Sequence, residues 1–208
     1  MKIHLLFCLS FLVATTSLFA QQDKEADSTE VVITKYGVGV KAGFNFATVT
    51  QGSLNKNPDA RPSVYIGFNY ELPIVENVFS IQPEIIYSRQ GFEKRFTSLD
   101  DQRKSVYQLD YLTLPILARY YVVRGFSLEA GPQFSYLIAN QSDRDGADPE
   151  VLNLGDAKKL DIGFAGGLTF QFESGFFVNG RYLRSFSEIA DGLGAKNTVF
   201  QFGAGYKF

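Results

Sequence analysis

KLDIGFAGGLTFQF, residues 159–172, decides the fold. Leu160, Ile162, Phe164, Gly166, Leu168, Phe170 and Phe172 share one face, while Asp161, Gly163, Ala165, Gly167, Thr169 and Gln171 share the other. That is the period of two of an extended strand, with a greasy side and a side of small or polar groups. The same alternation recurs in 126–140, where Phe126, Leu128, Ala130, Pro132, Phe134, Tyr136 and Ile138 oppose Ser127, Glu129, Gly131, Gln133 and Ser135. In 63–72, Val64, Ile66, Phe68, Tyr70 and Leu72 oppose Tyr65, Gly67, Asn69 and Glu71. Eight such segments follow one another: 36–49, 63–72, 78–91, 105–122, 126–140, 159–172, 176–186 and 198–208. In the fourth, the phase slips near Tyr111 and Leu112, which predicts a β-bulge there.

The connections between segments alternate in length. Those at 73–77, 123–125 and 173–175 are short, whereas those at 50–62, 92–104, 141–158 and 187–197 are long and polar. Long and short connections alternating over an even number of strands predict an antiparallel barrel of the outer-membrane type. Its tight turns face the periplasm and its long loops face outward.

Volume separates a membrane barrel from a soluble one. The apolar faces together offer about five large side chains per strand, whereas eight strands enclose only a packed column of side chains or one small ligand. The bulky set must therefore point outward, and only lipid makes that favourable. The outward residues nearest the periplasmic ends are Tyr36, Tyr70, Phe79, Tyr120, Phe126, Phe172, Phe176 and Phe208, an aromatic on every strand. Rings at that depth form an interfacial girdle.

The chain has 208 residues, 20 of them Phe and 11 Tyr, with 19 Gly and a net charge of −2. That charge balance offers no footprint for nucleic acid. The first residues read as a secretory signal: Lys2, an apolar core over 5–13, and Leu18-Phe19-Ala20 before cleavage ahead of Gln21. Residues 21–35 form a polar lead-in, and 36–208 the barrel. The only His, Cys and Met are His4, Cys8 and Met1, and there is no Trp. Processing after Ala20 therefore removes His- and Cys-based catalysis, disulfides and His/Cys zinc sites together. No cofactor is expected.

The inward faces carry Lys41, Arg119, Arg181 and Lys207 against Glu71, Glu84, Glu129 and Asp161. Unpaired buried charges are costly, so these eight are expected to pair with one another in a filled polar lumen. Gln82, Gln133, Asn45, Asn179 and Gln201 are expected to join them. Such a network would fix strand register; the alternative is a proton or ion path. Pro83, Pro115 and Pro132 fall inside strands three, four and five at similar height, where local bulges are expected and a weakened seam is the alternative. The loop at 143–150 carries Asp143, Asp145, Asp148 and Glu150 but lacks the spacing of a calcium loop, and reads as a solvated acidic segment. The glycines of GVGVKAG (37–43) and FGAGYKF (202–208) sit in strands with no helix after them, so they are not nucleotide loops.

GVGVKAGFNFATV (37–49), FSIQPEIIYSRQG (79–91), LDYLTLPILARYYV (109–122), FSLEAGPQFSYLI (126–138) and VFQFGAGYKF (199–208) resemble the PorT-like outer-membrane β-barrel proteins of the Bacteroidota. The resemblance covers 36–208. It implies an outer-membrane barrel, with the strand prolines as family features and Phe208 as the terminal aromatic read by the barrel-assembly machinery. The founding member of that family is implicated in protein secretion to the cell surface, and the family offers no catalytic motif.

The expectation is therefore a monomeric, eight-stranded barrel in the lipid of the bacterial outer membrane. Its expected role is non-enzymatic, structural or envelope-accessory, with surface loops contacting partners. An accessory part in a secretion or surface-export system is the alternative, and a narrow porin for small solutes a weaker one. Small barrel enzymes generally resemble one another in using a catalytic His, which residues 21–208 lack.

Overall fold

Alternating sequence becomes eight antiparallel strands in a computed structural model of the chain, which describes residues 36–50, 58–98, 101–144, 157–190, 192 and 194–208. They are β1 (Gly37–Val49), β2 (Asp59–Val75), β3 (Phe79–Ser98), β4 (Asp101–Val123), β5 (Phe126–Arg144), β6 (Leu160–Gln171), β7 (Phe176–Ser185) and β8 (Asn197–Lys207). Each strand pairs with the next, and β8 pairs with β1, so the sheet closes and leaves no edge along the paired wall. The proposed signal at 1–20, the lead-in at 21–35 and residues 145–150 of the acidic loop lie outside the described residues.

The greasy face is the outer face. Phe44, Ile66, Phe68, Ile85, Leu128, Leu168 and Phe202 are all exposed on the wall, Phe44 by 63%. Their strand neighbours Asn45, Asn69, Glu84, Glu129, Thr169 and Gln201 are buried inside. Of the girdle aromatics, Tyr70, Tyr120, Phe172, Phe176 and Phe208 are exposed on the wall, and rings there touch: Phe172 lies 5.7 Å from Phe176, and Tyr206 5.6 Å from Phe208. The short turns use residues suited to left-handed backbone: Asn77 at φ 57°, Gly125 at 75° and Gly175 at 95°. The Asn77 amide donates to the Tyr36 hydroxyl at 2.6 Å, tying the start of the barrel to the first turn.

Three details differ from expectation. Most of the segment read as a long loop over 92–104 is strand, since β3 runs to Ser98 and β4 starts at Asp101. The irregularity near Tyr111 is real but belongs to β5: Asp110 pairs with Ala139 and Tyr111 with Leu137, so Ile138 is the extra residue. Through β4, Tyr107, Leu109, Tyr111, Thr113, Leu117, Arg119 and Tyr121 keep one inward phase.

Pro83, Pro115 and Pro132, too, sit without bulges. Pairing in β2/β3 passes from Asn69/Glu84 to Leu72/Ile81, skipping Tyr70/Pro83. In β3/β4 it passes from Pro83/Ile116 to Ile86/Thr113, skipping Glu84/Pro115. In β4/β5 it passes from Pro115/Gln133 to Ala118/Ala130, skipping Ile116/Pro132. The register is the same before and after each lapse. A missing N–H therefore deletes a rung without shifting the strands, and the three lapses step across three consecutive seams.

Candidate functional site in the barrel lumen

A narrow lumen must fit long charged side chains between opposing walls, and glycine makes the room. Lys41 pairs across its two seams with Gly67 and Gly205, and Arg181 and Glu129 both pair with Gly167. A Cβ on Gly205 would lie 2.3 Å from the Phe177 ring, and one on Gly167 would lie 2.4 Å from the Gly180 carbonyl. Bulk at these positions would displace the charges beside them.

Seven of the eight predicted charges form one chain. Glu84 Oε2 accepts from Lys41 Nζ at 2.7 Å and from Arg181 Nη1 at 2.7 Å. Arg181 Nη2 donates to Glu129 Oε1 at 2.6 Å, and the Arg119 Nε–Glu129 Oε2 ion pair closes at 3.8 Å. Arg119 Nη1 donates to Glu71 Oε2 at 2.7 Å, and Lys207 pairs with the same carboxylate. The order is Lys41, Glu84, Arg181, Glu129, Arg119, Glu71, Lys207, cation and anion alternating. Each of these side chains is no more than 1% exposed. Gln82 bridges Arg119 and Glu84, and Ser80 and Tyr121 donate to Glu71. Burial removes solvent screening, so the chain is held only because nearly every charge has a counterpart on both sides.

Asp161 does not join it. The expected pairing fails for a reason of height: inward residues along β6 run Asp161, Gly163, Ala165 and then Gly167 opposite Arg181. Between Asp161 and the ion chain lies a buried apolar layer of Ala47, Leu117, Ala165, Leu183 and Val199. On its other side, Val49, Phe92, Tyr107, Leu109, Tyr111, Leu137, Ile189 and Ala195 form a second one. Phe92 and Tyr107 stack there at 4.8 Å. The lumen is thus layered rather than uniformly polar. Gln201 Nε2 donates to Asn45 Oδ1 at 2.9 Å and Asn179 accepts from Tyr65, while Gln133 donates to Ser135 in the tier of Asp161.

With this geometry in hand, known proteins can be compared. The family model described as "Outer membrane protein beta-barrel domain" matches residues 19–191. The chain belongs to that family. Membership places this outer-membrane β-barrel in the bacterial outer membrane, with its exposed apolar wall in lipid. The fold of the family member is similar to that of Ail, the attachment invasion locus protein of Yersinia pestis. There the identity is 14%, with 84% of this chain and 100% of that one covered and a TM-score of 0.51. Neisserial surface protein A is similar at 11% identity, over 84% of this chain and 99% of that one, with a TM-score of 0.55. At these identities the likeness concerns the barrel alone. No curated protein matches the sequence.

Three residues of this outer-membrane barrel that matter at the site escape a reading of charge alone. Tyr111, Ser185 and Asn197 surround Asp161: Ser185 Oγ donates to Asp161 Oδ2 at 2.6 Å, and Asn197 Nδ2 donates to the Tyr111 hydroxyl at 3.2 Å. The inward phase of 111, 113 and 115 in β4 was the available signal, hidden by placing a phase slip at Tyr111. Phe208 lies at the seam of β8 and β1, where its amide donates to the Val38 carbonyl at 3.0 Å.

Proposed function

We propose that this outer-membrane barrel is a non-enzymatic, structural or envelope-accessory protein whose long extracellular connections contact surface partners. The observation that carries this reading is the filling of the lumen. A seven-membered charge chain and two apolar layers occupy the bore along its length. A bore filled along its length leaves the charges a part in holding strand register, so the eight inward charges are assigned a structural role.

The resemblance of 36–208 to PorT-like barrels of the Bacteroidota supports the finer placement in that branch, and with it a second reading as an accessory of protein export to the cell surface. Cleavage after Ala20 and recognition of Phe208 by the assembly machinery belong to the same proposal. A narrow porin is disfavoured by the filled bore.

Deletion of the gene separates the readings. Leakage of periplasmic markers and detergent sensitivity, with unchanged surface proteins, is the expected result. Loss of secreted surface proteins with an intact envelope would replace it with the export role. Liposomes carrying the barrel should not swell in sugar solutions; swelling would restore the porin.

A further inference from the structure

Arg184 is the one charged residue that faces outward on β1, β6, β7 and β8. It stands eight residues along β7 from the girdle residue Phe176, toward the end opposite the short turns. At about 3.4 Å per residue and a tilt of about 40°, that lifts it about 21 Å, just under the upper border of an apolar band about 25 Å tall. Its surroundings are greasy. Tyr182 and Phe186 flank it on β7, Phe164 pairs with it on β6, and the Phe200 ring lies 4.9 Å from that of Tyr182. Its one hydrogen bond among the described residues runs from Nη1 to Thr198 Oγ1 on β8, at 3.0 Å. The Nε and Nη2 edge of the guanidinium is left without a protein partner.

Lys196 joins it at the head of β8. Ala195 and Asn197 both face the lumen, so Lys196 between them faces outward. Its backbone stays on the ladder with β1, exchanging hydrogen bonds with Thr50. It therefore lies one outward step beyond Thr198, about 5 Å nearer the outer surface, and is a diagonal neighbour of Arg184 at a Cα distance of about 7–8 Å. Neither cation has a carboxylate partner among the described residues. Glu188 accepts from the Gly194 amide at 3.2 Å, and Asp161 lies inside, bonded to Ser185. Across the barrel Arg89 makes the contrast: at a similar height on β3 its Nε pairs with Asp110 at 3.2 Å, so that side of the wall balances its own charge.

We propose that Arg184 and Lys196 bind one phosphate group of an outer-leaflet lipid, the sugar phosphate of lipid A. The parallel N–H bonds on the open edge of Arg184 match two oxygens of a phosphate, and Lys196 adds a point charge from above. The exposed rings of Tyr182, Phe200 and Phe202 lie below, on the side where the same lipid carries its acyl chains. Water reached by snorkelling would serve the N–H groups but would leave two neighbouring cations uncompensated. A lipid phosphate supplies the acceptors and the countercharge together.

The test titrates the folded barrel in detergent micelles with lipid A and counts bound lipid by native mass spectrometry. Wild type is expected to hold one lipid A and to lose it when the lipid's phosphate has been removed. Arg184→Gln should weaken binding about tenfold and Lys196→Gln about threefold, with Arg184→Lys in between. Each variant is first shown to be folded by its shift on a cold gel, and Lys196→Gln carries the test if Arg184→Gln does not fold. Arg89→Gln, which removes a positive charge from the self-balanced side, should bind as wild type does. Equal binding of dephosphorylated lipid A overturns the site, as does undiminished binding by Arg184→Gln and Lys196→Gln. So does a loss in Arg89→Gln as large as in Arg184→Gln, the mark of general attraction rather than a site. Excess inorganic phosphate should leave the lipid in place; its displacement would make the ligand a free phosphate and overturn the lipid.

Discussion

Arg181 on β7 grips Glu84 on β3 with two hydrogen bonds across the lumen, from Nη1 at 2.7 Å and from Nη2 at 3.1 Å, over a sequence separation of 97 residues. The same guanidinium also reaches Glu129, from Nε at 2.9 Å and Nη2 at 2.6 Å. Removing it leaves Glu84 with Lys41 as its one cation, and Glu129 with only the longer contact to Arg119, in a dry interior. Arg181→Met should cost about 3–5 kcal/mol of folding stability, read from urea unfolding of the barrel in lipid vesicles. A loss below about 1 kcal/mol would show that solvent reaches the network and screens it.

The outer wall behaves differently. Phe68 is 61% exposed on β2, between the girdle residue Tyr70 and Ile66. Phe68→Arg should destabilise the barrel by about 1–2 kcal/mol in vesicles, because the charge would face hydrocarbon one outward residue in from the girdle. In detergent with a thin apolar shell the cost should shrink. An equal cost in both media would mean that the damage lies in packing rather than in lipid.

The skipped rungs make a separate prediction. Pro132 faces lipid and keeps its pairing with Phe164 on β6, while its pairing toward Ile116 lapses. Pro132→Ala supplies the missing N–H on that side and should stabilise the barrel by about 1 kcal/mol, the net worth of one hydrogen bond. Hydrogen exchange should then find the new amide protected. A rapidly exchanging amide would mean that the strands are held apart there by something other than proline.

Phe208 ends β8 with its ring exposed and in contact with Tyr206. If the assembly machinery reads that ring, Phe208→Ala should lower the amount of folded barrel in cells several-fold while leaving unassisted folding into micelles unchanged. Equal losses in both settings would make Phe208 a packing residue of the β1/β8 seam instead.

Much of this architecture was legible because strand alternation survives wherever one face meets lipid and the other a polar interior. Leu160 to Phe172 shows it at every step. The pattern fades in the extended arms of β3 and β4, where the chain over 92–104 turns polar and loses the alternation that marks a strand. That is why 92–104 read as loop. Alternation also assigns a residue to a face but not to a height. Lys41, Glu71, Glu84, Arg119, Glu129, Arg181 and Lys207 could be placed inside together, but the apolar layer that parts Asp161 from them depends on cross-strand register. The prolines were visible and their common height was deducible. Whether the wall answered with a bulge or a skipped rung was decided by the seams on either side of each ring.

The charge chain draws one residue from each of β1, β2, β3, β4, β5, β7 and β8. A sheet with six or seven strands in place would therefore hold several charges without counterparts, facing a half-built interior. Adding the final strand brings Lys207 to Glu71 at the moment the seam with β1 shuts. Closure of the wall and completion of the ion chain are a single event, so the barrel is expected to assemble cooperatively, with open intermediates too unfavourable to linger in the membrane.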